Sequence, residues 1–138
     1  MIKGYTGGSF VIPHFGHYNF FRLCKLYCDY LVISLNTDEF ILQYKGYTPE
    51  YSYQERENIL KTCPYIDEII PNEGGQDSKP AILSVHPNVI LIGSDWLSKD
   101  YCKQMSFTPQ WLTDHKISLC YLPYTEGVST SDIKSRLK

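Results

Sequence analysis

The sequence predicts an α/β protein: a doubly wound, mostly parallel five-stranded sheet with helices on both faces. Three observations carry that expectation. Five short runs rich in β-branched and aromatic residues recur along the 138-residue chain. Stretches of helical character lie between them. The runs are continuously apolar, as in NVILI at residues 88–92, which suits strands covered on both faces rather than strands wet on one.

The first strand is read at residues 2–6, followed by Gly7, Gly8, Ser9 and Phe10 and then by Pro13-His14-Phe15-Gly16-His17. These last residues stand at the mouth of a helix that turns Phe20, Phe21 and Cys24 inward. The second strand is read at residues 30–35, and residues 44–52 (YKGYTPEYS) form a loop. Ser52 with Glu55 three residues later is a capping box that starts a helix leading into Ile59 and Leu60. A third strand at residues 68–70 gives way to a loop at 72–78 (NEGGQDS), and Pro80 marks a helix start, being tolerable only in a first turn. A fourth strand at 89–92 precedes Gly93-Ser94-Asp95-Trp96. A fifth at 117–122 precedes a hydroxyl-rich segment, Tyr124 to Ser131, that opens a last helix with Ser129 or Ser131 as its cap. No repeat or linker divides the chain, so one domain over residues 1–138 is expected.

Composition narrows the partners. With 43% hydrophobic and 20% charged residues the chain has enough apolar surface for a real core. A net charge of -2 and a pI of about 6.0 supply no general attraction to nucleic acid or to an anionic membrane, so an anionic ligand needs a local site. The five cysteines are odd in number and contain no CxxC pair, which argues against a disulfide framework and a zinc knuckle; a cytoplasmic location is expected. No apolar stretch approaches the roughly 20 residues of a membrane helix.

In an open parallel sheet, ligands sit beyond the carboxyl ends of the strands where strand order reverses. Residues with unusual chemistry after strands one, four and five therefore share one crevice. After strand one, Gly7 and Gly8 let the backbone approach a ligand closely. His17 falls in the first helical turn, where unpaired N–H groups and the positive end of the helix dipole favour phosphate. A pair three residues apart is also compatible with a helix cap or two ligands of a metal, although no Cys or carboxylate stands at a helpful spacing to complete a zinc site. After strand five the hydroxyl-rich segment supplies a second helix start of the same character.

These residues resemble a known family. His14-Phe15-Gly16-His17 matches the HxGH signature of the nucleotidyltransferase superfamily, and YTEGVSTSDIK is similar to the RTEGISTT segment of cytidylyltransferases. DYLVISLNTDEF, SYQERENIL, YIDEIIP, GSDW and YLPYTEGVST resemble, in the same order, segments of the small bacterial glycerol-3-phosphate cytidylyltransferases. The resemblance implies a Rossmann-like fold, a homodimer, and Mg2+ arriving with CTP, whose CMP unit passes to a phosphorylated alcohol. His14 and His17 would donate to phosphate oxygens, with Lys45 reaching the triphosphate from the loop at 44–52. Gly8, Ser9, Phe10, Gly16 and Gly93 would line the nucleotide site, with Asp95 near the nucleoside. Tyr124, Thr125, Gly127, Ser129 and Thr130 would hold ribose and phosphate. Arg56 matches a family arginine and is a candidate for the acceptor, an exposed ion pair on a helix being its other reading; Lys79 is a candidate to replace the missing positive charge there, with a solvated surface lysine as its other reading. Direct protein ligands for a metal are not expected.

The chain departs from the family pattern at four places. Val11 stands where an aspartate is usual, and Tyr124 where RTEG has its arginine. Tyr124 replaces a bidentate guanidinium fork with a neutral single donor. Gly74 and Gly75 occupy the region of a family tryptophan, and Pro64 replaces an arginine. All four bear on phosphate or acceptor binding.

Overall fold

The computed structural model describes residues 1–10, 15–94 and 99–123. Within them the chain runs β1 (Lys3–Gly8), α1 (Phe15–Lys25), β2 (Tyr30–Asn36), α2 (Asp38–Lys45), α3 (Tyr53–Leu60), β3 (Glu68–Asn72), α4 (Lys79–Val85), β4 (Val89–Gly93), α5 (Tyr101–Gln104), α6 (Pro109–Asp114) and β5 (Ser118–Leu122). All five strands pair in parallel in the order β3-β2-β1-β4-β5. The order reverses between β1 and β4, the switch point at which such sheets bind ligands. The α/β expectation is met, and all five expected strands exist within a residue or two of their expected ends.

Alternation along each strand sends neighbouring side chains to opposite faces. Val32, Ile90 and Ile92 join Tyr5, Ile82, Val85, Phe107 and Leu112 in one core cluster. Leu31, Ile33, Leu35 and Leu91 join Phe20, Phe21, Cys24 and Leu60 in the other. A sheet buried on both sides thus explains why its strands read as unbroken apolar runs.

The expected capping box is present: Ser52 Oγ accepts from the Glu55 amide at 3.2 Å, and the Glu55 carboxylate accepts from the Ser52 amide at 3.1 Å. Pro80 sits in the first turn of α4, as expected. Two expectations need correction. Gly7 and Gly8 belong to β1 rather than to the loop after it, paired with Ser34 and Leu35. Residues 44 and 45 belong to α2 rather than to a loop. Thr37 caps that helix by accepting from the Phe40 amide, Asp38 and Glu39 favour its first turn, and Gly46 ends it with φ +79°, a left-handed conformation glycine takes without strain. The last expected helix lies outside the described residues.

All five cysteines are free thiols. Burial pushes the Cys24 thiol far above its ordinary range, so it packs as a small apolar side chain. Burial also pushes the Tyr5 hydroxyl up to about 12 and pushes Tyr101 up further. An acid whose proton is held more tightly in the folded state stabilises the fold below the unfolded pKa of about 10 and loses that contribution as pH rises through the folded value. Urea melts should therefore show stability falling above pH 10 by about 1.4 kcal/mol per pH unit for each such tyrosine. Tyr101→Phe should remove one tyrosine's share of that slope; an unchanged slope would place the titration elsewhere.

Candidate active site

A cavity of about 480 Å³ opens over the carboxyl ends of β1, β2, β3 and β4. Each strand contributes a terminal residue to its wall: Gly8 from β1, Asn36 from β2, Asn72 from β3 and Gly93 from β4. Adding a Cβ at Gly8 would bring it to 3.0 Å from the ring of Phe10, so glycine there lets the chain fold back tightly after the strand.

Phe10 itself takes φ +44°, a left-handed conformation that is strained for a bulky side chain. Its ring meets that of His17 edge-on, with centroids 4.9 Å apart and planes at 89°, and that of Phe21 at 5.4 Å. The strained turn thus presses an aromatic edge on the imidazole and limits its rotation. His17 lies in the first turn of α1, is 7% exposed and lines the cavity. Lys45, the last residue of α2, reaches the same cavity, as does Lys99.

The residues expected at the site divide into three groups. Gly8, Ser9, Phe10, His17, Lys45 and Gly93 line the cavity together, from four separate parts of the chain. Gly16 stands beside them, buried in the first turn of α1. His14, Asp95, Tyr124, Thr125, Gly127, Ser129 and Thr130, like Val11 and the second helix start, lie outside the described residues.

Arg56 and Lys79 are placed differently from their expected acceptor roles. Arg56 is 0% exposed and does not line the cavity, nor is it a surface ion-pair partner. Its Nη1 donates to the carbonyl oxygens of Ser9 (2.7 Å) and Asn36 (2.9 Å), its Nε to that of Tyr51 (3.1 Å), and its Nη2 to Asp38 Oδ1 (2.6 Å). The guanidinium joins the turn after β1, the end of β2 and the start of α2. Only a planar cation with five donors can satisfy that many acceptors at once. Lys79 donates to the Ser106 carbonyl and pairs with Asp77 at 2.9 Å, holding that carboxyl below its ordinary range; it is not part of the cavity wall.

Sequence reading missed Asn36, Asn72, Gln76, Lys99 and Gln104, all on the wall. Asn36 and Asn72 end β2 and β3, so extending the strand-end rule to those two strands would have found them. Ser9 Oγ, Asn36 and Asn72 form one chain of hydrogen bonds: Asn36 Nδ2 donates to Ser9 Oγ at 2.9 Å and Asn72 Nδ2 to Asn36 Oδ1 at 2.8 Å. Among the described residues no carboxylate lines this cavity. The available chemistry is that of neutral donors, an imidazole and two ammonium groups, which suits a polyanion.

The family model described as cytidylyltransferase-like matches residues 5–136. The chain belongs to the cytidylyltransferase-like family. It is therefore an enzyme of the nucleotidyltransferase kind, as the resemblance implied. A glycerol-3-phosphate cytidylyltransferase of Bacillus subtilis (strain 168) is 36% identical over 138 residues, covering 99% of this chain and 98% of the relative. An FAD synthase of Pyrococcus horikoshii is 32% identical, covering 99% of this chain and 92% of the relative. The crystal structure of a lipopolysaccharide core biosynthesis protein from Thermoplasma volcanium superposes with a TM-score of 0.70 over 91% of this chain and 97% of that one, at 22% identity. That last likeness speaks for the Rossmann-like fold.

Proposed function

We propose that the protein transfers CMP from CTP to a small phosphorylated alcohol, glycerol 3-phosphate or a similar polyol phosphate. The observation that carries this reading is the gathering of His17, Ser9, Lys45 and Lys99 around one cavity at the switch point of a cytidylyltransferase-like fold. A phosphate oxygen of the acceptor attacks the α-phosphorus of CTP in line. The bond from that phosphorus to the bridging oxygen breaks, pyrophosphate leaves, and a CDP-alcohol remains. The attacking oxygen is already ionised near neutral pH, so no general base is needed.

What the protein supplies is position and compensation of charge. His17, with His14, donates to phosphate oxygens as negative charge gathers on the five-coordinate phosphorus. Lys45 and Lys99 hold the outer phosphates. A Mg2+ ion carried on the triphosphate would neutralise further charge there; the described wall offers it hydroxyl and amide oxygens but no carboxylate, which fits an ion held chiefly by the nucleotide. Asp95 belongs with the nucleoside, and Tyr124, Thr125, Gly127, Ser129 and Thr130 with ribose and phosphate. A homodimer in the cytoplasm completes the reading.

The test is pyrophosphate release from Mg-CTP with glycerol 3-phosphate and other phosphorylated alcohols. Turnover with a polyol phosphate is expected. CTP binding without turnover on any acceptor would make the protein a nucleotide binder that has lost catalysis, the reading that Val11 and Tyr124 favour. The FAD synthase relative favours adenylyl transfer instead, and the nucleotide separates these: CTP rather than ATP should raise the melting temperature.

A further inference from the structure

We propose that Ser78, Lys79 and Ser106 are positioning residues for the nucleotide: they brace the wall segment that carries Lys99 and Gln104, although Ser78 and Lys79 follow β3 rather than β4. This rests on the nucleotide role given to Lys99 above. The chain after β4 contributes Lys99, Tyr101, Gln104 and Met105 to the cavity wall. Its helix, α5, has four residues, too few to hold a place by its own hydrogen bonds. Tyr101 and Phe107 are buried in the core and seat the segment at two points.

Its polar ties come from the loop between β3 and α4 and from the first turn of α4. Ser78 donates to the Met105 carbonyl twice, through its amide at 3.2 Å and through Oγ at 2.6 Å. Ser106 Oγ donates to the Gln76 carbonyl at 3.0 Å, and Lys79 Nζ donates to the Ser106 carbonyl while pairing with Asp77. Met105 and Gln76 both line the cavity, so the brace is made on the wall itself. In the sheet β3 and β4 are separated by β2 and β1, so the brace joins segments that no strand pairing brings together.

Two local preferences are given up for it. Ser78 stands at the N-cap of α4, where a serine hydroxyl ordinarily accepts from the helix's own amides, yet it makes no capping bond and donates to Met105 instead. Ser106 takes φ +64°, the left-handed region that favours glycine, and its hydroxyl reaches Gln76 from there. Lys79 gives its protons to a carbonyl and a carboxylate of the brace and does not line the cavity, so its effect on substrates passes through α5.

The experiment measures KM and kcat for CTP and for glycerol 3-phosphate, with the rise in melting temperature given by Mg-CTP, in Lys79→Met, Ser78→Ala and Ser106→Gly. Loosening a wall that holds the outer phosphates equally in ground and transition states should raise the CTP KM about five- to tenfold in Lys79→Met and Ser78→Ala, with kcat and the acceptor KM within about twofold of the parent. The CTP-induced rise, measured from each variant's own melting temperature, should shrink. Lys79→Arg keeps a cation that can reach Ser106 and Asp77, so it should restore the CTP KM to within about twofold. Ser106→Gly loses the hydroxyl but relieves the backbone, so it should fold as the parent does and still raise the CTP KM about threefold. It carries the test if the other variants do not fold. An unchanged CTP KM in a folded variant, or a lower melting temperature with an unchanged response to CTP, reduces the brace to a structural tie and overturns the proposal. A loss on glycerol 3-phosphate alone in Lys79→Met overturns it too, by making Lys79 an acceptor contact. A CTP response that shrinks in the variants, without turnover on any acceptor, overturns CMP transfer and leaves the brace standing; no response to CTP in the unaltered protein overturns both.

Discussion

His17→Ala should lower kcat by about 10²–10³-fold while CTP still raises the melting temperature, because a donor aimed at charge that develops only in the transition state contributes little to ground-state binding. The geometry supports an effect of that size. The imidazole is held by an aromatic edge from Phe10, whose own backbone is strained at φ +44°, and it lines the cavity from the first turn of α1. A preorganised donor loses no orientation in reaching the phosphorus, which is why removing one costs so much. kcat and kcat/KM should fall together, the pattern of an interaction made only in the transition state. His17→Asn, which keeps a donor of similar reach, should recover part of the rate. Parent-like kcat in His17→Ala, with the protein folded, would remove His17 from the chemistry.

Arg56→Ala should destabilise the protein by about 3–5 kcal/mol, the size expected when one partner of a buried hydrogen-bonded charge is removed. An exposed helix ion pair would contribute under about 1 kcal/mol, so the melt separates the two roles. The larger value follows from burial and from what the guanidinium leaves behind: the carbonyls of Ser9, Asn36 and Tyr51 lose their donor, and Asp38 loses its cation. At this chain length the melting temperature should fall by roughly 10 °C or more. Arg56→Lys should recover only part of the loss, since an ammonium cannot span acceptors on three separate segments as a planar fork does. Below its melting temperature Arg56→Ala should also turn over more slowly, because Ser9 and Asn36 both belong to the cavity wall. A variant that melts like the parent would mean that the clamp contributes nothing.

Strands were legible in the chain because a sheet covered on both faces leaves unbroken apolar runs, and β4 at Val89–Gly93 is the plainest of them. The α3 start was legible because Ser52 and Glu55 satisfy each other's backbone donors within one turn. α2 was missed although its signals were present: Thr37, Asp38 and Gly46 mark both its ends, but its short apolar stripe with one buried residue, Ile41, gives weak periodicity. α5 and α6 were missed for the same reason, at four and six residues.

The candidate site was legible as far as single motifs reach. HxGH brought His17 and Gly16, and the strand-end rule brought Gly8, Ser9 and Gly93, each from a local pattern that does not depend on what lies across the sheet. The roles of Arg56 and Lys79 were not legible, because an exposed and a buried cation have the same letter. Nor were Lys99 and Gln104, which acquire their neighbours only when the sheet closes, whereas Asn36 and Asn72 stand at strand ends that the rule reaches once it is applied to β2 and β3.

The amino-acid order alone therefore determined the α/β class, the parallel strands and the turn after β1 that lines the cavity, since periodicity, capping and a short motif act over a few residues. Only the tertiary structure decided that Arg56 is a buried clamp, and that Ser9, Asn36 and Asn72 join in one chain of hydrogen bonds beside the cavity. Both depend on distances between segments far apart in the chain, and burial, which sets the cost of an unmade hydrogen bond, comes into being only when those segments pack.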